Sequence, residues 1–141
     1  MALYYEIVIF TAGMQEYADW VVDQLDPNDT LIDHRLYRQH TINRDTTNNL
    51  PLIIKDLSKI GRDLSRTIIV DNIAENFLLQ KDSGIFISTW YNDREDTALK
   101  DLIPLLTQLS TLKVADVRKT LSKFRDQMSR FIVEGKHGTA T

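Results

Sequence analysis

The 141-residue chain predicts an α/β domain built on a parallel sheet, and three observations carry that prediction. Short apolar, β-branched runs alternate with segments of helical periodicity, which is the order βαβ units produce. The run from Thr67 to Val70 shows no apolar/polar alternation, so it reads as a strand buried on both faces, as a central parallel strand is. That run ends in Asp71-Asn72, and the carboxyl ends of such strands are where open α/β sheets bind ligands. An oxygen-bearing pair there suits a hard cation such as Mg²⁺, although the same pair also caps helices and opens turns.

Leu3 to Phe10 (LYYEIVIF) reads as the first strand, with Tyr4 and Tyr5 as strand residues and only Glu6 interrupting it. Thr11-Ala12-Gly13 is the turn that follows. Apolar residues at Met14, Tyr17, Ala18, Val21, Val22 and Leu25 hold helical spacing for three turns. Asp26-Pro27 closes that helix, because Pro disfavours the helical region in the residue before it. Arg35 to Ile42 reads as a short strand, and Asn43 to Asn49 as an exposed polar loop tolerant of insertion. Leu52 to Ile54 is a brief strand, Asp56 to Gly61 a short helix or turn, and Ile68 to Val70 the central strand. Ile85 to Ile87 is another short strand, introduced by Ser83-Gly84.

Asp96 to Leu109 carries helical spacing at Leu99, Leu102, Ile103, Leu106 and Leu109, and Pro104 inside it should kink or restart the helix. A last helix spans about Ala115 to Phe131. Its stripe Val117, Leu121, Phe124, Met128 and Phe131 fits either a face docked on the domain or a narrow coiled-coil seam. Gly135 to Thr141 is expected to fray. Lys119, Lys123, Arg125 and Arg130 are interleaved with Asp126 and read as a solvated face, not a nucleic-acid patch. Trp20 and Trp90 read as packing residues, and His34, His40 and His137 lack ligand-like spacing.

Composition narrows the function classes. Hydrophobic residues at 43% and charged residues at 26% are near globular averages, so a real core is expected. A net charge of −3 and a pI of about 5.5 give no bulk attraction to nucleic acid or anionic lipid. The absence of Cys excludes disulfides and thiolate metal sites. No run of 18 apolar residues and no basic-then-apolar stretch at Met1 is present, so neither a membrane span nor a leader is expected in these 141 residues.

Four features then stand together: Thr11 after the first strand, Arg38 in Leu-Tyr-Arg-Gln, Lys55 in Ile-Ile-Lys-Asp-Leu-Ser, and Asp71-Asn72. A hydroxyl, two cations and a carboxylate-amide pair at strand ends suit a phosphoryl group with Mg²⁺, since phosphoryl transfer needs donors around the equatorial oxygens. Each has an ordinary reading too: Thr11 as an N-cap, Arg38 and Lys55 as solvated charges, Asp71 as a turn residue.

The runs EIVIFTAGMQEYADWVVDQLDP, RLYRQH, IIKDLSKIGRDLSRTIIVDN, DTALKDLIPLL and ADVRKTL resemble the catalytic domain of the small C-terminal-domain phosphatases. These are also called NLI-interacting-factor-like phosphatases, of the haloacid dehalogenase superfamily. The resemblance covers residues 4 to 121, and the YRQH and DTALKDLIPLL pieces are also similar to the Dullard/Nem1 branch. It implies a Rossmannoid parallel sheet flanked by helices, with a phosphatase-like domain over 1–121 and the helix end and tail over 122–141. It further implies that Thr11 contacts the phosphoryl group, that Lys55 neutralises a phosphoaspartyl intermediate, and that Asp71 and Asn72 lie at the Mg²⁺. Arg38 falls beside the phosphate cleft, and Met14 in the lip that receives an apolar substrate residue.

Two departures stand out. Ile73-Ala74 replaces the family's common Ser-Pro after Asp-Asn, and no Asp-x-Asp-x-Thr occurs anywhere in the 141 residues. That motif carries the family's nucleophilic Asp, and Asp93 and Asp96 lie too late in the chain to replace it. The expectation is therefore a fold without its first central strand, which belongs between the Thr11 and Asp71 strands and would leave two unpaired edges. Each unpaired backbone group there would cost about 1–3 kcal/mol. On this reading the chain is the distal part of a Mg²⁺-dependent phosphoserine/phosphothreonine protein phosphatase, from an incomplete gene, and inactive alone. Its partners would be a phosphorylated protein and, through exposed strand edges, other copies of itself, in a nuclear or cytoplasmic setting. The alternative is a non-catalytic binding module, as the mitochondrial import-receptor relative is thought to be.

Overall fold

The computed structural model describes residues 1–45 and 51–138, with side chains described over 1–44 and 52–127. In chain order the strands are β1 (Val8–Phe10), β2 (His34–Leu36), β3 (Ile42–Asp45), β4 (Pro51–Ile54), β5 (Ile69–Asp71) and β6 (Gly84–Phe86). The helices are α1 (Gln15–Leu25), α2 (Ala98–Asp101), α3 (Ile103–Thr111) and α4 (Val117–Gly138). β1 runs parallel to β2, with Val8 opposite His34, and β5 runs parallel to β6, with Asp71 opposite Phe86. β3 and β4 form an antiparallel pair, Ile42 opposite Ile54. The class is α/β, as the sequence predicts.

β5 is the strand around which the core forms. Ile69 packs on one side against Leu57 and Phe77, while Ile68 and Val70 pack on the other against Ile85, Leu109 and Leu121. This two-sided burial is what an unalternated apolar run implies. Helices α3 and α4 supply Leu109 and Leu121; of the described α4 stripe, Val117 and Leu121 are buried and Leu121 docks on the domain, while Phe124 is exposed. Pro104 sits in the first turn of α3, where its missing N–H costs nothing, and the periodic segment accordingly restarts there as α2 and α3. Among the described residues β1 and β5 share no ladder. A cavity of about 120 Å³ touches both, lined by Val8, Phe10, Lys55, Ile68, Val70 and Asp71.

Side chains shape the connections. Between β4 and β5, Asp56-Leu57-Ser58 and Asp63-Leu64-Ser65 repeat one device: each Asp carboxylate accepts the N–H of the Ser two residues on, at 3.0 and 2.9 Å, and starts a 3-10 turn. Gly61 between them has φ +71°, a conformation glycine adopts without strain. Arg62 then donates to both Glu6 oxygens at 2.7 and 3.1 Å, tying the approach to β1 to the approach to β5. After α1, the buried Asp26 carboxylate accepts N–H groups of Thr30, Leu31 and Ile32 at 3.1, 3.0 and 2.9 Å. Burial pushes this carboxyl up, but the Ile32, Leu31 and Thr30 donors outweigh it and hold it below the usual range.

Several local expectations are corrected. The first strand begins at Val8, because Tyr4 and Tyr5 donate their N–H groups to the Met1 carbonyl and form a turn, not a strand. The Tyr5 hydroxyl donates to the Leu106 carbonyl at 2.6 Å, so tertiary contact overrides strand propensity. The strand expected over Arg35 to Ile42 divides into β2, a 3-10 turn at Arg38–His40, and β3, since His40 Nδ1 takes the Tyr37 N–H at 2.8 Å. Asn43 to Asp45, expected in a loop, pair with β4. Positions 46–49 of that expected loop lie outside the described residues. Ala74–Ser83 forms a kinked 3-10 segment for which the sequence pattern predicts no element. The expected tail is helical as far as Gly138, and positions 139–141 are outside the described residues.

Trp20 and Trp90 are not packing residues: they are 64% and 59% exposed. Trp20 lies across α1 from the buried Ala18 and Val22 and stacks on Tyr17 at 6.4 Å. The α1 stripe is correspondingly narrow, with Met14, Tyr17 and Leu25 all exposed.

A Cβ on Gly84 would lie 2.2 Å from the buried Phe77 ring, so Gly84→Ala should destabilise the fold by about 1–3 kcal/mol in urea denaturation. Asp26→Asn should lower Tm at neutral pH. Because the folded carboxyl titrates below its unfolded value of about 3.9, its contribution is present above that pH and lost as pH falls through the folded value. The Tm difference between the two proteins should therefore shrink below about pH 4 in a calorimetric pH series.

Candidate active site

Asp71 closes β5, and Lys55 follows β4 directly. Lys55 Nζ lies 2.6 Å from Asp71 Oδ2, and the two side chains are only 9% and 5% exposed. A lone buried ammonium or carboxylate costs several kcal/mol, so each charge is kept by the other. Asp71 Oδ1 also accepts the Ile73 N–H at 3.1 Å, and the Asn76 side-chain amide reaches Oδ1 at 3.3 Å and Oδ2 at 3.2 Å. Four N–H contacts thus meet a carboxylate with about four lone-pair positions. The Asn76 carbonyl in turn accepts the Lys55 backbone N–H at 2.7 Å. The Phe10 ring, 5.8 Å from Nζ, adds a cation–π contact.

A cleft of about 760 Å³ opens in front of this pair, lined among others by Phe10, Lys55, Asp71, Asn72, Trp90 and Leu99. Asn72 is exposed in it, and its amide N–H donates to Thr89 Oγ1 at 3.1 Å. Thr11 follows Phe10 out of β1. Its hydroxyl oxygen accepts the Gly13 N–H at 2.9 Å, while the cap position of α1 is Met14, so Thr11 holds a turn and does not cap the helix. Arg38 and Met14 are exposed and do not line this cleft. Arg35 on β2 does not line the cleft either; it bridges Asp23 at 2.8 Å and Asp19 at 3.0 Å. Tyr37 donates its hydroxyl to Asp19, and that bond together with Arg35 holds the Asp19 carboxyl below the usual range. Asp96 lines the cleft, but its Oδ1 accepts the Ala98 N–H at 2.8 Å.

Mg²⁺ requires close to six oxygens in octahedral array. Among the described residues no group of three or more His, Cys, Asp or Glu is placed to hold a metal ion. Asp71 has its lone pairs met by N–H donors, which leaves the Asn72 amide oxygen as the open donor. These residues by themselves do not fit Mg²⁺. Asn76 and Thr89, which position Asp71 and Asn72, carry no signal in the sequence. They belong to no periodic pattern, and only the fold brings them to the strand ends.

Fold and site define an α/β domain with a buried ammonium-carboxylate pair at its strand ends, facing a cleft large enough for an anionic ligand. Residues 1–118 match the model of the NLI interacting factor-like phosphatases, and the chain belongs to that family. It is 43% identical over 122 residues to a probable C-terminal domain small phosphatase of Dictyostelium discoideum, covering 86% of this chain and 37% of the relative. It is 42% identical over 120 residues to CTD nuclear envelope phosphatase 1 of Xenopus laevis, covering 85% and 46%. It is also 36% identical over 126 residues to the mitochondrial import inner membrane translocase subunit TIM50 of Kluyveromyces lactis, covering 89% and 25%. The chain therefore spans between 25% and 46% of the length of these relatives.

Removing one member of the buried pair strands the other. Lys55→Met and Asp71→Leu should each cost about 3–5 kcal/mol in urea unfolding, and the double variant should lose clearly less than their sum. Simple additivity would show that the two charges are not coupled.

Proposed function

We propose that this chain is the distal part of a Mg²⁺-dependent phosphoserine/phosphothreonine protein phosphatase that works through an aspartyl-phosphate. The observation that carries this reading is the buried Lys55-Asp71 pair opening on the space between β1 and β5. A strand bearing Asp-x-Asp-x-Thr would lie in that space, pairing with both free edges and bringing the attacking carboxylate to the Lys55 ammonium. Lys55 would then offset the charge that develops on the phosphoryl oxygens, with Asp71 fixing it in place. The Thr11 hydroxyl retains its O–H and would donate to the same group. The Asn72 oxygen would join the carboxylates of the docked strand at Mg²⁺, with Asp71 beside it anchoring Lys55, and the ion would be held only when that strand is present. Arg38 would position a phosphorylated protein substrate, and Met14 would form part of its apolar lip.

The second reading is a binding module without chemistry. The observation that favours it is that one relative is named as a subunit of an import translocase. The open edges of β1 and β5 would then receive a partner's strand or a second copy of this chain.

Hydrolysis of p-nitrophenyl phosphate separates the readings. The chain alone should be inactive. With a peptide carrying an apolar strand and Asp-x-Asp-x-Thr, Mg²⁺-dependent turnover should appear, fall about 10²–10³-fold in Lys55→Ala, and fall much less in Arg38→Ala. A peptide that raises Tm without turnover would favour the binding module. Turnover by the chain alone that persists in Lys55→Ala would sink the phosphatase reading.

A further inference from the structure

Asn76 is buried, lies in a segment that no sequence pattern predicts, and touches both members of the charged pair. Its carbonyl fixes the Lys55 backbone at 2.7 Å, and its side-chain amide spans both Asp71 oxygens at 3.2 and 3.3 Å. The effect on Lys55 follows from counting donors and acceptors. An ammonium has three N–H donors, and among the described residues Lys55 Nζ spends one, on Asp71 Oδ2. The carboxylate has no further lone pair to offer, because Asn76 takes one position on each oxygen and the Ile73 N–H a third. Lys55 is thus prevented from settling onto Asp71 through both oxygens, and, as it lines the cleft with Phe10 and Asn72, its remaining donors are left for a ligand there.

We propose that Asn76 is a positioning residue that divides the Lys55 ammonium between Asp71 and an incoming phosphate. The proposal rests on the phosphatase reading only in naming the anion. Without the Asn76 amide, Asp71 becomes the stronger acceptor and draws Lys55 inward, leaving fewer donors for the ligand. Residue 76 would thereby set how tightly the site holds an oxyanion, without touching it.

The test is competitive acetylation of the intact chain by trace acetic anhydride, read by peptide mass spectrometry at Lys55 relative to the exposed Lys59. Asn76→Leu, which keeps the number and branching of side-chain heavy atoms, should slow acetylation of Lys55 about fivefold while Lys59 is unchanged, the scale of one hydrogen bond's competition. A merely structural role predicts the opposite, since a loosened core makes Lys55 react faster. Asn76→Ser keeps one donor and should fall between wild type and Asn76→Leu, and it carries the comparison where the Leu variant does not fold. An unchanged or faster Lys55 in either folded variant overturns the proposal. Inorganic phosphate should protect Lys55 in the wild type, and about fivefold more of it should be needed in Asn76→Leu. Failure of phosphate to protect the wild type would count against the phosphatase reading, while the acetylation rates without phosphate still decide the role of Asn76.

Discussion

The rest of the structure depends on the need to keep two opposite charges together out of water. Lys55 and Asp71 come from different strands, β4 and β5, and their side chains are almost fully buried. Attraction alone does not offset desolvation unless the remaining lone pairs are also met. This is why the chain between Asn72 and Ser83 folds back to deliver the Ile73 N–H and the Asn76 amide to the same carboxylate. The pair thereby fixes the strand ends, the 3-10 segment and the floor of the cleft at once.

The relatives differ in what their names say they do, phosphatase in two cases and import translocase subunit in another. A satisfied Lys55-Asp71-Asn76 network is a structural asset whether or not chemistry follows, because dismantling any part of it leaves a buried group unpaired. The network is therefore compatible with both readings, and the edges of β1 and β5 left unpaired among the described residues are what the two readings use differently.

Much of the fold was legible because it follows from periodicity. The unalternated run to Val70 marked a strand buried on two faces, and Pro104 marked the point where one helical segment becomes two. Lys55 and Asp71-Asn72 were legible as candidates and lie together, whereas Arg38 and Met14 lie outside the cleft. Less legible were features decided by tertiary contact. Leu3 to Tyr5 have strand-forming side chains yet form a turn anchored on α3, and Asn43 to Asp45 have loop-forming ones yet pair with β4. Asn76 left no trace in any pattern, since its value is set by which atoms the 3-10 segment brings within reach.

The Glu6-Arg62 pair sets a distance as well as a connection. It bridges the approaches to β1 and β5, and among the described residues no ladder closes between the two parallel pairs it links. On the reading in which a segment docks there, this would be a preorganised slot: the segment would break no strand pairing present among the described residues, and the half-exposed bidentate bridge at its end would add about 0–1 kcal/mol against splaying. Most of the conformational entropy lost on filling the slot would be that of the incoming segment. The rate of filling would then be governed by how readily that segment becomes extended, with the bridge acting as a spacer whose hold weakens as salt screens it.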